Sequence, residues 1–138
     1  MEVIQFVMQF NAKIKGKELT NIEKIEIITK MLNTQSYISI REKSKLIKDI
    51  ISNTVTYNRM MDKLEYNSFE KDLTTIITLI KNYTDLKNFD EKGYDLLCSN
   101  NLLEYVIGTF SKEYEICLGV MSTYMQDIES KRISLEDL

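Results

Sequence analysis

The sequence predicts an all-α protein, a single-domain bundle of about five to six helices with one long C-terminal helix. Proline is absent and glycine occurs only four times in 138 residues, whereas β-sandwiches and barrels depend on many tight turns that use both residues. Apolar residues also recur at intervals of three and four along most of the chain, which is the period of a helix. A chain of this length fits one domain, residues 1–138, in which the polar residues 129–138 are expected to fray.

Three helices are predicted in the N-terminal part of the chain. Residues 3–14 carry a single apolar stripe. Thr20 with Glu23, and Ser39 with Glu42, each form a capping-box pattern that predicts the start of a further helix. The stripe residues of these three helices are Val3, Phe6, Val7, Phe10 and Ile14; Ile22, Ile25, Ile28, Met31 and Leu32; and Ile47, Ile50, Ile51 and Val55.

Two more helices are predicted before residue 100. Residues 56–67 leave two alternatives open, since their apolar residues either continue the third helix or form a separate helical turn. Asn67 and Ser68 are suited to cap a fourth helix, and Asp90 to start a short fifth one. The apolar residues concerned are Met60, Met61 and Leu64; then Phe69, Leu73, Ile76, Ile77, Ile80 and Tyr83; then Tyr94, Leu97 and Cys98.

The last helix is predicted to be the longest, running from residue 102 to about residue 130. At 1.5 Å per residue it would span about 40 Å. Its main stripe is Leu103, Val106, Ile107, Phe110, Tyr114, Cys117, Met121, Met125 and Ile128. Further apolar side chains beside the stripe widen it, so this helix needs cover from a second helical layer or from another subunit. Three of them, Tyr105, Ile116 and Tyr124, are candidate interface residues.

Two glycines inside this helix are also candidate interface residues. Gly108 and Gly119 are eleven residues apart, so they fall on nearly one face of a helix. An interior glycine costs about 0.5–1 kcal/mol relative to alanine. We predict that the two glycines mark a close helix crossing, within the protomer or between protomers. The alternative is that they reflect a genome that rarely uses alanine codons.

The residues that most enzymes require are missing. The chain has no histidine and only two cysteines, which excludes Ser-His-Asp and Cys-His catalysis and the usual zinc sites. Four scattered glycines form no phosphate-binding loop. The sequence therefore predicts no enzyme, no cofactor, no metal and no small-molecule substrate. Cys98 and Cys117 lie at helical spacing among apolar residues and are interpreted as small buried side chains, with a disulfide left open.

The acidic residues are interpreted as helix caps and solvated side chains. Four of them cluster before and within the predicted fifth helix: Asp85, Asp90, Glu91 and Asp95. Their spacing does not fit an EF-hand loop, which needs glycine where Asp90 stands. Glu113 and Glu115 are expected to face solvent.

Charge is uneven along the chain. Residues 1–66 hold 11 basic and 8 acidic residues, whereas residues 67–138 hold 7 basic and 13 acidic ones. A basic patch is predicted on one side of the third helix, at Arg41, Lys45 and Lys48. Opposed charge on two ends of one domain favours head-to-tail association of copies.

Nucleic acid and membrane are both disfavoured as partners. The pI of about 5.1 lies far below that of typical DNA-binding domains, although a short turn between helices at residues 20–55 leaves a helix-turn-helix as an alternative. No apolar run reaches the roughly 18 residues of a membrane span. The N-terminus lacks the basic region of a signal peptide, so a virion or the host cytoplasm is the expected location.

The abundance of Ile, Lys and Asn beside a single Ala indicates an AT-rich genome. In this composition, and in residues 6–28 (FVMQFNAKIKGKELTNIEKIEII) and 101–121 (NLLEYVIGTFSKEYEICLGVM), the chain resembles small helical virion and neck proteins of phages that infect low-GC bacteria. The resemblance implies a structural role in a ring or shell, with other virion proteins or copies of itself as partners.

The function predicted from these observations is that of a non-enzymatic structural or assembly protein. It is expected to self-associate as a component of a phage particle at the head–tail junction. One alternative is a small intracellular binding module that inhibits or regulates a host protein. The second alternative is the helix-turn-helix DNA binder.

Overall fold

Seven α-helices and one β-hairpin form the protein in the computed structural model, which describes all 138 residues. The elements are α1 (Val3–Ile14), α2 (Asn21–Met31), α3 (Ile40–Thr54), β1 (Val55–Asn58), β2 (Lys63–Tyr66), α4 (Ser68–Tyr83), α5 (Glu91–Ser99), α6 (Leu103–Gly108) and α7 (Ser111–Glu129), followed by a 3-10 turn at Leu135–Asp137. The protein is mostly helical, as predicted, but the hairpin means that it is not strictly all-α. None of the helices is both long enough and apolar enough to cross a bilayer.

The start of α2 confirms the capping box predicted at Thr20 and Glu23, and the start of α3 confirms the Ser39 cap without the reciprocal Glu42 side-chain bond. Thr20 Oγ1 accepts a hydrogen bond from the Glu23 amide at 3.2 Å, and Glu23 Oε1 accepts one from the Thr20 amide at 3.1 Å. Ser39 Oγ accepts from the Glu42 amide at 3.2 Å. These bonds satisfy amides that have no partner inside the helix, and they involve residues only three apart, which is why the sequence predicts them.

The hairpin replaces the helix or helical turn predicted over residues 56–67, so both alternatives were wrong. The pairing is antiparallel, with Val55 opposite Tyr66 and Tyr57 opposite Leu64. Val55, Thr56 and Tyr57 are β-branched and aromatic residues that favour strands. In the turn, Asp62 adopts φ +51°, a left-handed conformation that Asp tolerates better than most residues.

The predicted single helix from residue 102 to about 130 is also wrong, because α6 ends at Gly108 and α7 begins at Ser111. At the junction the Phe110 amide bonds to the Ile107 carbonyl, three residues back, at 3.0 Å. Thr109 Oγ1 donates to the Val106 carbonyl at 2.6 Å. Glycine followed by a β-branched residue has low helix propensity, and the threonine side chain competes for backbone acceptors.

The chain forms two compact units, each made from two separate stretches. The first unit is Met1–Tyr37 with Leu79–Lys112, and the second unit is Ile38–Thr78 with Glu113–Leu138. The single-domain organisation stays a prediction, as does the fraying of residues 129–138.

The first unit has an aromatic-rich core. The Tyr83 and Phe110 rings stack at 4.7 Å between centroids, with planes 2° apart. Its most buried large side chains are Phe6, Phe10, Ile28, Leu32, Leu79, Ile80, Tyr83, Phe89 and Leu97. Cys98 is exposed, so its predicted burial was wrong.

The second unit buries aliphatic and sulfur-containing side chains. They are Ile38, Ile47, Ile50, Ile51, Val55, Cys117, Met121, Met125 and Ile128. The burial of Cys117 confirms one half of the cysteine prediction. Phe69, predicted on the inner face of α4, is 68% exposed. Thr75 is buried in this part of α4, and of the predicted stripe Ile80 and Tyr83 are fully buried.

Candidate interaction surfaces

The hairpin of the second unit has one apolar face and one polar face. Side chains alternate along a strand, so the pairs Val55–Tyr66 and Tyr57–Leu64 share one face. The opposite face carries Thr56, Asn58, Lys63 and Glu65. Val55 is buried, and Tyr57 and Tyr66 are partly exposed. The hairpin is therefore anchored on one side and accessible on the other.

The hairpin tip, which we define as Met60 and Met61, is the most exposed apolar feature of the second unit. Met60 is 95% exposed and Met61 is 63% exposed. The Met61 amide donates to Asn58 Oδ1 at 3.1 Å, so the turn has a defined backbone conformation. Both thioether side chains of this turn are exposed to solvent.

A groove of about 440 Å³ runs beside β1. Its apolar lining includes Val55, Tyr57, Ile128, Ile133 and Leu135. Two exposed ion pairs tie the residues after α7 to the hairpin: Arg59 with Glu136 at 2.9 Å and Lys131 with Asp62 at 2.8 Å. The groove is therefore closed on one side by the C-terminal residues.

The predicted basic patch lines a second groove, of about 640 Å³, which we call the basic groove. Its lining is Ile40, Arg41, Ser44, Lys45, Lys48, Asp49, Tyr124 and Leu138. The Ser44 and Tyr124 hydroxyls are hydrogen-bonded to each other. Lys48 Nζ lies 5.5 Å from the centre of the Tyr124 ring, within the range of a cation–π interaction. The structure thus brings all three predicted cations together with one of the predicted interface residues.

The five predicted interface residues fall in both units. Tyr105 and Gly108 belong to the first unit, and Ile116, Gly119 and Tyr124 belong to the second. The Tyr105 hydroxyl donates to Asn21 Oδ1 at 2.9 Å, and Lys24 Nζ lies 5.3 Å from the ring centre. Tyr105 is therefore engaged within its own unit, whereas Ile116 is exposed.

The two glycines differ in what surrounds them. A Cβ added at Gly108 would lie 2.9 Å from Ile25 Cδ1 and 3.3 Å from Ile25 Cγ1, on α2. A Cβ added at Gly119 would meet nothing within 4 Å. Gly108 thus lies at a close approach of α2 and α6, whereas Gly119 has no such approach within the protomer. A crossing between protomers at Gly119 stays a prediction.

Alanine substitutions at these glycines are expected to have opposite signs. Gly119→Ala should raise the free energy of unfolding by about 0.5–1 kcal/mol through better helix propensity. Gly108→Ala should lower it by about 1 kcal/mol, the low end of overpacking, because only the end of the Ile25 side chain must move. Urea denaturation midpoints measure both changes, and stabilisation by both substitutions would contradict the close approach at Gly108.

The second unit contains a buried ion pair, between Lys43 and Glu113, that the sequence did not predict. Lys43 is 3% exposed and Glu113 is 5% exposed. Lys43 Nζ lies 2.8 Å from Glu113 Oε1 and 2.9 Å from Oε2, and the Ile38 amide donates to Oε1 at 3.1 Å. The prediction that Glu113 faces solvent was wrong, because a lysine seventy positions earlier in the chain reaches it.

Other acidic and phenolic groups have structural roles. Asp85 accepts a hydrogen bond from Asn33 Nδ2 at 2.8 Å, and Asp90 caps α5 through the Gly93 amide at 3.1 Å.

Burial, and secondarily the Asp72 carboxylate, raise the pKa of Tyr114 above its ordinary value. The phenol of Tyr114 therefore stays neutral at physiological pH.

Comparison with protein-family models, with curated proteins and with solved structures found no match for this chain. The relation to phage virion proteins therefore stays a resemblance of sequence. The hairpin tip and the two grooves are therefore the basis for proposing a function.

Proposed function

We propose that this chain is a non-enzymatic assembly protein that self-associates through its hairpin tip and serves as a structural component of a phage particle. The single observation that supports self-association is the exposure of Met60 and Met61, which are 95% and 63% exposed. Methionine is enriched at protein interfaces and adapts to irregular partner surfaces.

The hairpin also offers backbone groups to a partner. Each of its strands pairs only with the other, so each has an outer edge without a strand partner, which is a candidate for strand addition. One face of the hairpin carries polar side chains, including Lys63 and Glu65, while the tip supplies the apolar contact. A second copy of the same hairpin is the simplest partner, since like surfaces associate around a two-fold axis.

The particle role is supported by different observations. The sequence lacks histidine and phosphate-binding loops, which removes most enzymatic alternatives. The resemblance of residues 6–28 and 101–121 to small helical virion proteins supplies the biological context. The helix-turn-helix alternative stays a prediction, and the unit that carries Arg41, Lys45 and Lys48 has 9 basic and 12 acidic residues.

Self-association can be tested by light scattering over a range of protein concentrations. The molar mass is expected to exceed that of a 16.2 kDa monomer and to rise with concentration. The double variant Met60→Gln, Met61→Gln should weaken association by about tenfold or more, as loss of a central apolar contact does.

Met8→Gln is the matched control, because Met8 is 66% exposed but lies on α1 in the first unit. It should leave the mass unchanged. A wild-type chain that stays monomeric at high concentration would rule out self-association. An equal loss in the Met8 variant would place the contact elsewhere.

A further inference from the structure

The cations of the second unit are not evenly neutralised. Five of its nine basic residues form ion pairs within 4 Å: Lys43, Arg59, Lys71, Lys131 and Arg132. The remaining four form none. One of these, Lys63, lies on β2. The other three, Arg41, Lys45 and Lys48, all line the basic groove. Unneutralised positive charge is thus concentrated at one place in a unit whose overall charge is negative.

The groove also holds a free hydrogen-bond donor. The hydroxyls of Ser44 and Tyr124 bond to each other, and this bond uses one of their two hydrogens. The second hydrogen is available to an incoming acceptor. A carboxylate placed there would receive a charge-assisted hydrogen bond in addition to attraction from the lysines.

An apolar side chain lies beside the cations. Ile40, at the start of α3, is 59% exposed and lines the same groove. A ligand that combines negative charge with an apolar side chain would therefore match the lining better than a bare anion.

We infer that the basic groove binds an acidic peptide segment of a partner protein. Carboxylates of the segment lie against Arg41, Lys45 and Lys48, and an apolar side chain lies against Ile40. Charge complementarity selects this occupant, because the side chains that line the groove include three cations and one carboxylate, Asp49.

A nucleic acid fits these observations less well. Affinity for a phosphate backbone grows with the number of phosphates neutralised, and this groove offers only three cations. The second unit has three more acidic than basic residues, so a long polyanion would be repelled beyond the groove. A short acidic segment avoids that repulsion.

Fluorescence anisotropy with a short labelled peptide of Glu, Asp and Leu tests the inference on the full chain. Lys45→Gln should weaken binding by about two- to fivefold, the range expected for one exposed charge pair. The triple variant Arg41→Gln, Lys45→Gln, Lys48→Gln should weaken it by roughly tenfold or more. Added salt should weaken the wild-type complex, because exposed charges are screened.

Lys63→Gln is the matched control, since Lys63 is an exposed cation without an ion pair that lies outside the groove. It should leave peptide affinity unchanged, and Lys45→Arg should retain it. Circular dichroism of the triple variant tests whether it folds.

Three results would overturn the inference. They are no peptide binding at low salt, an equal loss of affinity in Lys63→Gln, and tighter binding of a single-stranded oligonucleotide of matched charge. The hairpin-tip variants Met60→Gln and Met61→Gln should leave peptide affinity unchanged, so this test is independent of self-association.

Discussion

Replacing Glu113 with Gln is expected to lower the free energy of unfolding by about 3–5 kcal/mol, the usual cost of breaking a buried ion pair from one side. Gln has nearly the same shape and keeps an oxygen for the Ile38 amide. The loss therefore reports the charge of Lys43, which would remain buried without its counter-ion. Urea denaturation followed by circular dichroism measures the change.

The neighbouring carboxylate provides the control for this prediction. Glu115 is exposed, so Glu115→Gln should change stability by less than about 0.5 kcal/mol. The double variant Lys43→Met, Glu113→Gln should recover much of the loss, because neither charge is then left buried alone. Equal effects of the Glu113 and Glu115 substitutions would show that the buried pair does not form in solution.

Phe110→Ala is expected to destabilise the protein by about 3–5 kcal/mol, as large-to-small substitutions of buried aromatic residues do. Phe110 is 3% exposed and stacks on Tyr83 in the core of the first unit. Its removal loses both the buried apolar area and the ring contact, and it leaves a cavity in the core of the first unit.

Phe69→Ala is the matched comparison, because the sequence places both phenylalanines on apolar stripes. Phe69 is mostly exposed in the first turn of α4, so this change should stay within about 0.5 kcal/mol. Thermal or urea unfolding of the two variants tests the contrast. A large loss at Phe69 would show that another surface covers it in solution, and a small loss at Phe110 would contradict its place in the core.

Local signals account for what the sequence predicted correctly. The starts of α2 and α3 depend on hydrogen bonds between residues three apart, such as Thr20 with Glu23. The stripe of α1 depends on the helical period alone, and Val3, Phe6, Val7 and Phe10 are buried as that period predicts. Such features need no information about distant parts of the chain.

The failures occur where a local pattern suits more than one structure. The apolar residues of 102–130 fit a continuous helix, yet the Gly108–Thr109 step allows the chain to break there. Residues 56–67 contain apolar side chains at helical spacing, but strand-favouring residues and a left-handed turn at Asp62 produce a hairpin. In both places the preference between alternatives is small, and packing against other elements decides it.

The basic groove also combines features that the local sequence predicts with features that only tertiary packing produces. Arg41, Lys45 and Lys48 lie four and three positions apart, so the sequence alone places them on one side of α3. Nothing local indicates that Tyr124, eighty positions from Ser44, completes the groove. The sequence thus identified the cations, and the tertiary structure supplied the hydroxyls and the concave shape.

By itself the sequence determined the helical class, the starts of α2 and α3, and the absence of histidine chemistry. Only the tertiary structure decided which charges meet. The two halves of the sequence differ in charge, because residues 1–66 hold 11 basic and 8 acidic residues and residues 67–138 hold 7 basic and 13 acidic ones. The two compact units differ less, with 9 basic and 9 acidic residues in the first and 9 basic and 12 acidic residues in the second. The physical reason is that each unit combines two stretches distant in sequence, so Lys43 of the basic half pairs with Glu113 of the acidic half.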